Sequence, residues 1–144
     1  MFYYRLTFAY TQAQVVMVPQ EVDITSVFSC ISQLYPEQRL GKIQVHWLSD
    51  EELLEINKAH LDHDYYTDII TFDYSTPRKI SGELFISVDR VRDNAATHGS
   101  SENQEFHRVV AHGFLHLLGF KDKTEAESKI MHEKENEVLQ ALGI

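Results

Sequence analysis

His112 and His116, four positions apart, and Asp122, six further on, are the residues of this chain whose types and spacing could do chemistry. Histidines at i and i+4 lie on one face of a helix, about 6 Å apart along its axis. From there both imidazoles can converge on a single ion at roughly 2.0–2.1 Å. Gly119 can end such a helix and let the chain reverse. Asp122, three residues past that glycine, can then return a carboxylate to the same ion from another direction. Three protein ligands leave the fourth position of a tetrahedral zinc open, as in catalytic rather than structural sites. A histidine pair alone has an ordinary reading, two solvated or core imidazoles. The glycine and the third ligand at a matching offset turn the expectation to a metal: one Zn2+ per chain, held by His112, His116 and Asp122.

The pattern His-x-x-x-His-x-x-Gly-x-x-Asp is similar to that of the metzincin metalloproteases, with aspartate at the third ligand position. Zinc proteases of this kind place a glutamate directly after the first histidine as general base. Here that position is Gly113, which can neither take nor give a proton. A zincin-type peptidase is therefore the disfavoured rival.

The elements that must position these residues are legible in outline. Residues 2–8 and 42–48 have the apolar patterning of strands, and residues 68–73 and 82–88 read as two more. Between the first two, Val22, Ile24, Val27, Phe28, Ile31 and Leu34 recur at helical spacing. Ser49 with Glu52 reads as a capping box opening a helix through His60, and residues 89–98 look helical. Ser101 with Gln104 opens the helix that carries the histidine pair and runs to about Leu118. Thr124 with Glu127 opens the last helix, with Ala126, Ile130, Met131, Val138 and Leu142 as its apolar positions. Strands and helices mix without strict alternation. The expected fold is α+β, a small mixed sheet with several packed helices and a zincin-like metal site at the end of a central helix.

The chain has 144 residues, 43% of them hydrophobic and 24% charged, and residues 1–144 read as a single domain. Its lone cysteine, Cys30, cannot form an internal disulfide and sits in an apolar run, so it reads as a small core residue in a reducing compartment. The first residues lack a basic stretch followed by a long apolar run, and no segment approaches the roughly 20 apolar residues of a membrane span. The expected location is the cytoplasm, with no membrane partner. A net charge of −9 counts against a protein that coats nucleic acid through a general basic surface. A local basic cleft stays open, with Arg78, Lys79, Arg90, Arg92, Arg108, Lys121 and Lys123 as contributors or as scattered surface cations.

With these residues in view, the chain resembles the YbeY family of rRNA maturation factors, metal-dependent endoribonucleases specific for single strands. The family's His-Gly-x-Leu-His-Leu-x-Gly-Tyr-Asp-His signature is met by His112, Gly113, Leu115, His116, Leu117 and Gly119, with Phe120 at the tyrosine position. Upstream, Ile56-Asn57, Asp64, the run Thr67 to Phe72 and the run Gly82 to Ser87 resemble further family segments, and Met131 and Glu135 fit its final helix. The similarity spans roughly residues 41–142. Two positions depart from the pattern. The third ligand is histidine in most of the family and Asp122 here, and carboxylate is an accepted zinc ligand. An arginine tied to RNA cleavage in the family falls at Leu61; Arg108, on the face of His112, either stands in for it or is salt-bridged.

The resemblance implies a zinc-dependent endoribonuclease in rRNA maturation and ribosome biogenesis. Its partners would be single-stranded ribosomal RNA and the small ribosomal subunit or one of its proteins. The second rival is a non-catalytic ribosome-assembly factor with a structural metal. Of the chain's eight histidines, His46, His60, His63, His98, His107 and His132 lack ligand spacing and read as structural or solvated. Thr67-Asp68 either lines the cleft or serves a turn; Glu83 is either a proton carrier or an ordinary exposed acid. No residue is assigned as general base.

Overall fold

The computed structural model describes residues 4–8 and 22–144. Its elements are β1 (Tyr4–Phe8), α1 (Ile24–Leu34), β2 (Leu40–Leu48), α2 (Asp50–Leu61), β3 (Ile69–Asp73), β4 (Ile80–Ser87), α3 (Val88–His98), α4 (Glu102–Leu117) and α5 (Glu125–Leu142). The fold is α+β, as the mixed pattern of elements implies. Residues 2 and 3 of the first expected strand lie outside the described residues.

Local chemistry starts each described helix. The side chains of Asp23, Ser49, Ser87, Ser101 and Thr124 accept from the backbone amides of Ser26, Glu52, Arg90, Gln104 and Glu127. Each bond satisfies an amide that the helix itself leaves without a partner. Reciprocal capping boxes close at Ser49–Glu52 and Thr124–Glu127. One boundary differs from expectation for this reason: Val88 opens α3 instead of ending β4, because the Ser87 hydroxyl caps the Arg90 amide at 3.1 Å.

The four strands are ordered β1-β2-β4-β3. β1, β2 and β4 run parallel, and β3 lies antiparallel to β4 with Ile69 opposite Ile86 and Asp73 opposite Gly82. Alternation along β2 and β4 sends Ile43, Val45, Trp47, Leu84 and Ile86 into the main core with α1, α3, α4 and α5. The other face carries a smaller cluster, in which Leu53 of α2 meets Leu48 and Ile70.

Helix α4 is buried nearly all round, from Phe106 through Val110, Phe114 and Leu115 to Leu117, which marks it as the central helix of the core. It crosses the sheet closely at Gly113. A Cβ built there would stand 2.8 Å from the side chains of Ile69 and Leu84. In α5 the buried stripe is Met131, Glu135, Val138 and Leu139, whereas Ala126 and Ile130 face solvent. Among the described residues, no helix is long and apolar enough to cross a membrane.

Candidate metal centre

α4 ends in a turn that both stops the helix and builds the site. Gly119 takes φ +103°, a region that costs most residues but not glycine. The Phe120 amide then donates to the Leu115 carbonyl at 3.0 Å and the Gly119 amide to the His116 carbonyl at 3.0 Å. This bond pair is the Schellman pattern of helix ends. The turn leaves the Phe120 carbonyl facing back, where it accepts from His116 Nδ1 at 3.0 Å. The chain then continues to Asp122, whose side chain returns toward the histidine pair.

Three ligand atoms converge there. His112 Nε2 and His116 Nε2 lie 3.0 Å apart, and Asp122 Oδ2 is 3.3 Å from each. Tetrahedral zinc with ligand bonds of roughly 2.0–2.1 Å has ligand–ligand edges of about 3.3 Å. His112, His116 and Asp122 thus form the described cluster that could hold a metal ion.

Proton bookkeeping strengthens the fit. His112 Nδ1 donates to Glu135 Oε2 at 2.7 Å and His116 Nδ1 donates to Phe120 O, which leaves the Nε2 atoms of the two rings facing each other. With the Asp122 carboxylate alongside, three electron-rich atoms face one another. Such a set suits a cation. Glu135 is 2% exposed and bonds His112 in the way an outer carboxylate would fix the tautomer and direction of a metal-ligating histidine. Burial, the largest influence on His112, disfavours its charged form. The Glu135 hydrogen bond and the charges of Glu135, Asp122 and Asp68 outweigh it and raise the His112 pKa. Burial likewise pushes Glu135 upward, but the His112 bond with the charges of His112, His132 and Arg108 carries its pKa down.

Two cavities flank the cluster. One, of about 460 Å³, runs along β3 and the segment before it, and contains His112, His116 and Asp122. The other, of about 710 Å³, opens between α4 and α5 beside His98, Arg108 and Glu135. Asp68, His112 and Asp122 line both. Burial raises the Asp68 pKa against the opposing charge of His112. Thr67-Asp68 therefore lines the cleft, and the Asp68 carbonyl also accepts from the Ser87 amide at 2.9 Å.

Other candidates have structural work. Glu83 bonds His46 at 2.9 Å, and neither cavity includes it. His46 also stacks on Phe85 with 4.4 Å between ring centroids. His107 is buried, its Nδ1 donating to the Asn103 carbonyl at 2.7 Å while its Nε2 accepts from the Asp23 amide at 3.2 Å. His132 stands 3.4 Å from Glu135 Oε1, beside the site without joining the ligand cluster. Arg108 is salt-bridged: its guanidinium reaches Asn136 at 3.0 Å, Glu135 at 3.5 Å and Glu105 at 3.9 Å. Leu61 lines the cavity of the ligand cluster without supplying a charge.

Sequence reasoning missed the role of Glu135. A signal was present: the residue falls four after Met131 and three before Val138, a carboxylate on an otherwise buried stripe.

Fold and site together define an α+β protein with a buried central helix and, at that helix's end, a three-ligand cluster suited to one metal ion. Residues 9–143 match the family model Endoribonuclease YbeY, and the chain belongs to that family. It is 52% identical to the endoribonuclease YbeY of Parabacteroides distasonis over 73% of this chain and 74% of that protein. It is also 52% identical to the endoribonuclease YbeY of Bacteroides thetaiotaomicron, over 71% of this chain and 74% of that one. The solution structure of TM1509 from Thermotoga maritima shares the fold, with a TM-score of 0.62 at 20% identity over 97% of this chain and 91% of that one.

Proposed function

We propose that this protein is a zinc-dependent endoribonuclease that cuts single-stranded RNA in the maturation of ribosomal RNA, as one cytoplasmic domain spanning residues 1–144. The observation that carries the reading is the set of three ligand atoms, His112 Nε2, His116 Nε2 and Asp122 Oδ2, 3.0–3.3 Å apart. Family membership supports RNA as the substrate, since the relatives are named endoribonucleases.

Zinc held by these residues supplies Lewis acidity toward a phosphoryl oxygen and toward water. Glu135 holds the His112 ring by Nδ1, and the Phe120 carbonyl holds the His116 ring, so the open side of the cluster keeps a fixed direction. Asp68 is a carboxyl that lines both cavities beside the cluster. Gly113 offers no base for peptide hydrolysis, and Ile69 and Leu84 fill the space a side chain there would need.

A second reading keeps the metal and drops the catalysis: an assembly factor acting on the small ribosomal subunit. Leu61, uncharged at the family's arginine position, is the observation in its favour. The deciding experiment pairs a metal assay with cleavage tests on single-stranded RNA, duplex RNA and casein. The nuclease reading expects about one zinc per chain and cleavage of single-stranded RNA alone, lost on chelation and restored by zinc. Metal-loaded protein that leaves RNA intact would favour the assembly factor, and chelator-sensitive casein digestion would overturn both.

A further inference from the structure

The wall of the cavity facing the ligand cluster is formed by the end of α2 and the segment leading to β3. Leu61, at the end of α2, and His63, Tyr65 and Thr67 of the irregular segment that follows line the cavity. The His63 and Tyr65 rings stack with centroids 5.0 Å apart and planes 23° from parallel, and the Tyr65 hydroxyl meets His63 Nδ1 at 2.9 Å. Even so, Tyr65 keeps 56% of its surface open and Leu61 42%.

The pair is held from beneath. Asn57, 1% exposed, donates its side-chain amide to the Tyr65 carbonyl at 2.9 Å, and its own carbonyl accepts from the His63 amide at 3.2 Å. One buried residue thus pins the backbone under both rings. An aromatic surface ordered in this way has already lost the freedom that a ligand would otherwise have to remove.

Charge narrows the choice of ligand group. Among the described residues lining this cavity there is no lysine or arginine, while Asp68, Asp73 and Asp122 are present. A strand of RNA laid here gains no lysine or arginine for its phosphates, and the family's arginine position holds Leu61. The bases remain. Every base has a π-face that stacks on an aromatic ring without regard to charge, and only an unpaired base can offer it.

We propose that Tyr65, backed by His63 and flanked by Leu61, is the platform on which an unpaired base of the RNA stacks beside the phosphate brought to the ligand cluster. This rests on the nuclease reading and deepens it. Selection for single strands then lies in the platform, because a duplex keeps its base faces within its own stack.

The test uses the zinc-loaded protein and a short single-stranded oligoribonucleotide with one cleavage site, in intact form and as a series carrying one abasic nucleotide at each position. Tyr65→Ala is expected to raise KM about tenfold, the effect of one lost base stack, with kcat changed far less. Tyr65→Phe, which keeps the ring, restores most of the loss. In wild type, one abasic position near the cut raises KM by a similar factor, and Tyr65→Ala no longer distinguishes that substrate from the intact one. A flat abasic series in a wild type that cleaves RNA overturns the platform and leaves the nuclease reading intact. That arm alters only the RNA, so it decides the matter even if Tyr65→Ala loses metal or melts early. A wild type that cleaves no RNA overturns both.

Discussion

The two walls of the β3 cavity are built on opposite plans. On one side α4, its closing turn and α5 hold each ligand histidine by a partner that is itself buried or backbone: Glu135 under His112, the Phe120 carbonyl under His116. On the other side the segment from Leu61 to Thr67 exposes apolar and aromatic surface, and Asn57 pins only its backbone. Ion coordination tolerates errors of a few tenths of an ångström, so its side chains need a rigid shell. A flexible strand of RNA needs a surface instead. On the proposed reading, chemistry falls to the first wall and substrate contact to the second.

The largest expected effect lies on the first wall. His112→Ala or His116→Ala removes one of three ligands and should abolish zinc retention in a protein that still folds. Asp122→Ala should weaken binding by more than the roughly 10–100-fold typical of an outer partner, while Asp122→His should retain zinc because imidazole is also a good ligand. Zinc content after gel filtration, with circular dichroism as the check on folding, measures each. Wild-type zinc content in Asp122→Ala would show that another group completes the site and would erase the contrast between the walls.

The same contrast explains what could be read from the sequence. The ligand spacing and the helix starts were legible because helix periodicity and caps act within a few residues: His112 to His116, Gly119, Ser49 with Glu52, Thr124 with Glu127. Glu135 was not legible as a site residue, since its partner His112 lies 23 positions away and only packing of α5 on α4 brings them together. Arg108 illustrates the same limit, its two readings separated only by where Glu135 and Asn136 fall. The apolar spacing of α5 misled at Ile130, 46% exposed, because the buried stripe follows Met131, Glu135 and Val138 instead. On the second wall, patterning stops at Leu61. The left-handed turn at Asp62 and the bonds of Asn57 then set the course of the chain, and no periodic signal marks them.

A smaller effect sharpens the first wall. Glu135→Gln keeps the shape of the side chain and removes its charge, leaving His112 with a weaker acceptor. Zinc affinity should fall about 10–100-fold, as for other outer carboxylates, with the ligands themselves unchanged. Competition with a chelator of known affinity reads this directly. An unchanged affinity would mean that Glu135 serves core packing alone, and the rigid-shell account of this wall would fail.

The smallest expected effect concerns charge. If Arg108 gripped an RNA phosphate, Arg108→Ala would flatten the slope of log affinity against log salt by about 0.7, the single-strand value for one contact. Its guanidinium is instead engaged with Asn136, Glu135 and Glu105, and the first of these bonds is 3.0 Å. The slope should therefore change by well under that amount. The substitution should act on the metal wall, because the nearly buried Glu135 loses a cation that helps hold it ionised. A modest fall in zinc affinity with an unaltered salt slope is the expected pair of results, measured by chelator competition and by oligonucleotide titration across a salt series. A slope that flattens by a full contact would place Arg108 on the RNA. The contrast between an ion-holding wall and a base-stacking wall would then have to admit a phosphate hook on the first.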